Sequence, residues 1–204
     1  KEEARNKTNL KIQVQQKSAI NIQPDDPFPK RTIQNNFSSA FSHQAVDLLL
    51  DAGVKILKIP SGEVSNVPLL EYISKKDFQV ILSSGMSSWK EIDRAVDILE
   101  PVKKLSILQC TSKYPCPPDE AGLNVINKMK EKYLIDVGFS DHTSGVGVAV
   151  AAVTLGAKII EKHFTLSKKM YGSDAKNSMD PNELNQFVKS IRDAEIAIYN
   201  KIDK

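Results

Sequence analysis

The chain has 204 residues, of which 41% are hydrophobic and 26% charged, and its formal net charge is +3. These values are typical of a globular protein with one sizeable core, and the basic residues are too dispersed to indicate a nucleic-acid surface. The apolar run VGVAVAAV is far shorter than the ~20 residues that cross a bilayer, and the N-terminus is too polar for a signal peptide. We therefore expect a cytoplasmic protein without a nucleic-acid or membrane partner, in which Cys110 and Cys116 are reduced thiols.

Residues 1–34 are polar and rich in turn-forming residues, and we expect an N-terminal arm or remnant there. From residue 35 onward, short apolar runs alternate with amphipathic stretches. The predicted strands are 36–41, 54–60, 78–84, 105–111, 135–140 and 157–164. The predicted helices are 43–52, 66–75, 88–100, 121–132, 145–155 and 181–199. Strands without apolar–polar alternation, each followed by a helix, indicate an α/β fold with a parallel sheet covered by helices.

Six strand–helix units fit either a small open sheet or most of a (β/α)8 barrel, which has eight units in typically ~250 residues. In both folds the functional site lies where the strands end and the helices begin. Small hydroxyl residues follow the apolar part of every predicted strand: Ser38 and Ser39, Ser61, Ser83 and Ser84, Thr111 and Ser112, Ser140, and Thr165. With Gly62 and Gly85 beside them they would form a cradle for an anion, although helix capping explains any single one equally well.

Two of the three histidines, His142 and His163, follow consecutive predicted strands. Neighbouring strands lie about 4.8 Å apart, so the two imidazoles can converge on one divalent first-row metal. Asp141 and Glu161 are available to orient them, while two unrelated loop histidines remain the alternative. Lys58 lies on a buried strand, where a bound anion would offset the cost of burying its charge unless its ammonium extends into solvent.

Six motifs occur together in this chain, in the order KIPSGEVSNVPLL, VILSSGM, QCTSKYP, GFSDHTSG, GAKIIEKHFTL and GSDAKNSMDPNEL. In this combination, residues 36–195 resemble the sialic acid synthase family, which includes N-acetylneuraminate, legionaminic acid and pseudaminic acid synthases. Members of that family are (β/α)8 TIM barrels, so the resemblance implies a partial barrel over 35–204 with about six of the eight βα units. The family's first two strands and its C-terminal antifreeze-like domain have no counterpart here, so we expect a truncated chain. The resemblance also implies a homodimer.

The reaction implied by the resemblance is that of a transferase. It condenses phosphoenolpyruvate with an open-chain N-acetylated amino sugar, such as N-acetylmannosamine, and releases phosphate. A divalent metal, usually Mn²⁺, polarises the sugar aldehyde as a Lewis acid. Carbon 3 of phosphoenolpyruvate attacks that aldehyde, water adds to the resulting oxocarbenium centre, and C–O cleavage releases phosphate. Two alternatives stay open, namely another phosphoenolpyruvate–sugar condensing enzyme and a non-catalytic barrel fragment.

The matching motifs also imply roles for individual residues. His142 and His163 match the metal ligands and, with Lys58 and Glu63, are the expected catalytic residues. The positions that match phosphoenolpyruvate contacts are Lys58, Ser39, Ser61, Ser83 and Ser140. The positions that match sugar contacts are Glu63, Tyr114 and Asp174, with Ser112 where many bacterial members have Asn.

Overall fold

The computed structural model describes residues 11–15, 37–200 and 202, with side chains from residue 37 onward. The strands are β1 Lys11–Gln15, β2 Phe37–Ser39, β3 Ile56–Ile59, β4 Gln79–Ser83, β5 Lys104–Cys110, β6 Asp136–Asp141 and β7 Ile159–His163. The helices are α1 His43–Asp51, α2 Val67–Ile73, α3 Trp89–Leu99, α4 Asn124–Tyr133, α5 Gly147–Thr154 and α6 Pro181–Tyr199. The predicted alternation of strands and helices is therefore confirmed from β2 to α6.

Two segments differ from the sequence prediction. Residues 11–15 form β1, although no strand was expected in the first 34 residues, and the rest of that segment lies outside the described residues. Helix α4 begins at Asn124 and not at Ala121. Gly122 has a φ of +66°, a left-handed conformation that an α-helix cannot contain, so the chain turns once more before the helix starts.

The described residues form two compact units, and the boundary between them falls within β5. The first unit holds β1 and the chain from Ile107 onward, and there β1 and β6 both pair in parallel with β7. The second unit ends at Ser106, and in it β3 pairs in parallel with β2 on one side and with β4 on the other. Parallel strands place their carboxyl ends, and hence their polar residues, at one edge of each unit's sheet.

Strands β3 and β7 are buried at every position, so both of their faces are covered. Helices α3 and α6 start at capping boxes. Ser88 and Glu91 form a capping box on α3, and Asp180 and Glu183 form another on α6, where Pro181 occupies the first turn. Fixed helix starts of this kind hold the preceding loops, which carry the polar residues at the strand ends.

Both cysteines are buried thiols, and no disulfide joins them. Across the described part of the chain, no helix combines the length and the apolar character that crossing a bilayer requires.

Candidate functional site

The first unit brings His142 and His163 together at the ends of β6 and β7. Their ring centroids are 5.2 Å apart, and both side chains are largely buried, at 9% and 6% exposure. In β6 and β7, Ser140 lies directly across from Glu161, and each histidine is two residues further along its own strand. Because side chains alternate in a strand, these four residues share one face of the sheet. The expected convergence of the two imidazoles is therefore present.

The protonation of His142 follows from its hydrogen bond to the main chain. Its Nδ1 lies 2.8 Å from the carbonyl oxygen of Thr111. A carbonyl oxygen only accepts, so Nδ1 carries the proton and donates it. In the neutral ring, Nε2 then keeps its lone pair, which is the form that binds a metal. The Sγ atom of Cys110 is 3.9 Å from the same Nδ1 and packs beside the ring.

Ser140 and Glu161 form a buried hydrogen bond between β6 and β7. The Ser140 hydroxyl donates to Glu161 Oε1 at 2.7 Å, and its oxygen lies 3.5 Å from His142 Nε2. The Glu161 side chain is 1% exposed. The carboxylate thus holds the serine hydroxyl, and the serine oxygen in turn lies next to the lone pair of the imidazole.

Tyr114 covers the two histidines. Its ring centroid is 4.2 Å from that of His142 and 5.4 Å from that of His163, and 43% of the residue is exposed. Partial burial raises the pKa of Tyr114 to about 12, and nearby negative groups, among them Asp174 and Glu161, add to the effect. The phenol therefore stays protonated at neutral pH and is available as a hydrogen-bond donor. Its expected position beside a substrate is compatible with this geometry.

Asp141 does not orient either imidazole, because its side chain lies on the opposite face of the sheet. Its Oδ2 accepts a hydrogen bond from Lys162 Nζ at 2.9 Å, and its Oδ1 accepts from the backbone N–H and the hydroxyl of Thr143 at 2.8 Å and 2.7 Å. The Lys162 ammonium also donates to the Thr143 carbonyl. The side chains of Asp141 and Lys162 are 0% and 3% exposed. Asp141 therefore belongs to a buried ion pair.

The second unit places Lys58, Ser39 and Ser83 on one face of its sheet. Ser39 is the register partner of Lys58 in β2 and β3, and Ile81 is its partner in β4. Ser83 is two residues beyond Ile81 and therefore faces the same way. Lys58 is 5% exposed, so it is a buried lysine, and its ammonium does not extend into solvent. The Ser83 hydroxyl is buried without a hydrogen-bond partner in the part of the chain that the structure describes.

Ser61 and Glu63 lie in a short 3-10 turn after β3, and both are engaged locally. The Ser61 hydroxyl oxygen accepts the Gly85 N–H at 3.0 Å, so that N–H is used inside the protein and not held open for an anion. Glu63 Oε2 accepts from the Asn66 side chain at 2.7 Å, and Asn66 in turn caps α2. The turn therefore has a defined shape before any ligand binds.

The remaining predicted residues lie in loops of the first unit. Ser112 is exposed, two residues beyond the end of β5. Asp174 is half-buried: its Oδ1 accepts from the Ser173 hydroxyl at 3.0 Å, and its backbone carbonyl accepts from the Ser178 hydroxyl at 2.7 Å. Its charge adds to the effect of burial in raising the pKa of Tyr114.

The histidine pair fits a shared metal as a partial set of ligands. An imidazole nitrogen binds Zn²⁺ at about 2.0–2.1 Å, so two rings on one tetrahedral ion have centres roughly 5 Å apart. The observed 5.2 Å between the two ring centroids agrees with that spacing. No group of three or more His, Cys, Asp or Glu side chains suited to a metal occurs among residues 37–200.

The Thr111 carbonyl and the Asp141–Lys162 pair were not predicted from the sequence. A main-chain acceptor has no sequence signal. Lys162 does have one, because a lysine inside the buried run IIEKH requires a carboxylate partner, and Asp141 is the acidic residue at the end of the preceding strand.

Comparison with known proteins extends these observations. Residues 11–203 match the NeuB family. The chain is 43% identical over 171 residues to the N,N'-diacetyllegionaminic acid synthase of Campylobacter jejuni, an alignment that covers 82% of this chain and 51% of that protein. A spore coat polysaccharide biosynthesis protein from Bacillus subtilis has a similar structure, with a TM-score of 0.76 and 31% identity over 82% of this chain and 49% of that one. The structure of an N-acetylneuraminic acid synthetase from Leptospira borgpetersenii, in complex with citrate, is also similar, with a TM-score of 0.74 and 36% identity. That similarity covers 81% of this chain and 59% of the synthetase chain.

These similarities identify the fold as a partial (β/α)8 barrel, of which the units from β2–α1 to β7–α6 are described. The chain belongs to the NeuB family, and the resemblance to sialic acid synthases is confirmed. It spans about half the length of the curated relatives it matches.

Proposed function

We propose that this chain carries metal-binding and phosphoenolpyruvate-binding residues of a nonulosonic acid synthase. The reaction is the condensation of phosphoenolpyruvate with an open-chain N-acetylated amino sugar, with release of phosphate. The family assignment supports the general class, and relatives are named as synthases of diacetyllegionaminic acid, pseudaminic acid and N-acetylneuraminate 9-phosphate. Those products differ, so the relatives do not fix the sugar substrate. We propose N-acetylmannosamine as the first sugar to test. A cytoplasmic homodimer is part of the same proposal.

The observation that carries the proposal is the pairing of His142 and His163. A 5.2 Å separation of the ring centroids, with the Nδ1 proton of His142 held by a carbonyl, leaves a lone pair ready for a cation. Mn²⁺ bound there would act as a Lewis acid on the sugar aldehyde. Tyr114, which stays protonated, supplies a hydrogen-bond donor beside the pair. Asp174, whose charge adds to the raised pKa of Tyr114, is a carboxylate that can accept hydrogen bonds from sugar hydroxyls.

Phosphoenolpyruvate carries a phosphate and a carboxylate, and the second unit offers groups that suit them. Lys58 supplies a buried positive charge, and Ser39 and Ser83 supply hydroxyls on the same face. A charge-assisted hydrogen bond from each would hold the anion more strongly than neutral contacts would. Ser61 and Glu63 are fixed in the turn that follows Lys58 and belong to the set that the resemblance assigns to substrate. Ser140 also belongs to that set, although its hydroxyl is donated to Glu161.

Phosphate release from phosphoenolpyruvate, with N-acetylmannosamine and Mn²⁺, tests the proposal. His142→Ala and His163→Ala should each abolish turnover and weaken Mn²⁺ binding. His43→Ala is the matched control, because the third histidine lies on α1 and stacks on Tyr72, 4.2 Å between ring centroids. Wild-type protein that binds no Mn²⁺ and turns over no sugar of this class would refute the proposal. Saturable Mn²⁺ binding without turnover would instead support the alternative of a non-catalytic barrel fragment.

A further inference from the structure

The pair of β6 and β7 ends in an unusual way. Its last register partners are Asp141 and Lys162, and the next residue of each strand is a histidine. The register ends at that pair, and the backbone carbonyls of His142 and His163 accept hydrogen bonds from the N–H groups of Cys116 and Met179, at 2.8 Å and 2.9 Å. The side-chain contacts of Asp141 and Lys162 link the two strands at the position just before the histidines.

These contacts enclose His142 from both sides. Asp141 precedes it and Thr143 follows it, and the two are joined by hydrogen bonds of 2.8 Å and 2.7 Å. Lys162, which precedes His163, donates to both of them. These hydrogen bonds therefore connect the residues on either side of His142 to the residue that precedes His163.

Stability alone does not explain a pair buried this deeply. Its side chains are 0% and 3% exposed, and removing two charges from water offsets much of their attraction. A buried pair of this kind is often no more stabilising than apolar residues of the same size, and its best-attested value is in specifying one geometry. His142 follows Asp141 directly in the sequence and His163 follows Lys162, so the geometry in question is the spacing of these two histidines.

We propose that Asp141, Lys162 and Thr143 act as positioning residues that set the separation of the two imidazoles for metal binding. None of the three is expected to touch the metal or the substrate, because Asp141 and Lys162 lie on the opposite face of the sheet. The inference rests on the proposed function, in which His142 and His163 share one cation.

The test is Mn²⁺ binding measured by titration calorimetry, with thermal unfolding recorded for each variant. Asp141→Asn combined with Lys162→Met removes both charges but keeps an oxygen acceptor for Thr143, so the fold should be retained. We expect Mn²⁺ affinity to fall about 10- to 100-fold, the usual effect of removing groups that orient metal ligands. Lys162→Arg keeps the charge and should retain affinity within about threefold of wild type.

Thr143→Val gives a second measurement in case the double variant does not fold. It removes only the hydroxyl that donates to Asp141, and we expect Mn²⁺ affinity to fall several-fold while the ion pair remains. Wild-type affinity in a folded double variant, or in Thr143→Val if the double variant is unfolded, would overturn the inference and leave the proposed function intact. Absence of Mn²⁺ binding by the wild-type protein would overturn the proposed function and this inference together.

Discussion

Replacing Lys162 with Met tests how the buried ion pair contributes to the fold. Met keeps most of the length of the lysine stem, so the substitution removes the charge and the hydrogen bonds while largely preserving packing near Phe187, whose ring centroid is 5.8 Å from the ammonium. The partner carboxylate of Asp141 then remains buried at 0% exposure without its counter-charge. Removing one member of such a pair costs about 3–5 kcal/mol in free energy of unfolding. That is a large part of the 5–15 kcal/mol typical of a folded domain.

The measurement is urea unfolding followed by circular dichroism, with Lys189→Met as the matched control. Lys189 forms an ion pair with Asp193 at 2.6 Å on α6, but the two side chains are 70% and 59% exposed. Exposed pairs of this spacing contribute only about 0.3–0.5 kcal/mol. A loss below about 1 kcal/mol for Lys162→Met, or an equal loss for both variants, would refute the reasoning that burial makes the difference.

Three further predictions concern other parts of the molecule. Gly138→Ala should lower the free energy of unfolding by about 1–3 kcal/mol, measured by thermal unfolding, because a Cβ there would lie 2.5 Å from the carbonyl oxygen of Ile159; an unchanged melting temperature would contradict this close contact. Hydrogen bonds from the side chains of Lys76 and then Tyr72 lower the pKa of Asp47, so the stabilisation by its carboxylate is lost as the pH falls below 3.8 and the group is protonated. Asp47→Asn should therefore lose less stability than wild type over that pH range, and equal acid sensitivity of the two proteins would contradict this prediction. Ser83→Ala should raise KM for phosphoenolpyruvate roughly tenfold or more without loss of stability, and an unchanged KM with lower stability would make Ser83 a structural residue.

The order of strands and helices could be predicted because it depends on local patterns. Continuous apolar runs mark doubly covered strands, and Ser88 and Asp180 mark helix starts, so the predicted and observed elements agree closely. The start of α4 was predicted three residues too early, because apolar spacing does not show that Gly122 adopts a left-handed conformation.

The candidate site was predictable only in part. The convergence of His142 and His163 followed from their places after consecutive strands, which in a parallel sheet end at the same edge. The orientation of individual side chains did not follow, since it depends on the register between strands. One residue of offset separates Ser140, which shares a face with the histidines, from Asp141, which points away and pairs with Lys162.

The buried hydroxyl of Ser83 has a consequence for how this protein could be engineered. A polar atom enclosed without a partner leaves a protein slightly less stable than its packing would allow, and it is tolerated where activity benefits. Selection for thermostability alone would therefore favour an apolar residue at position 83.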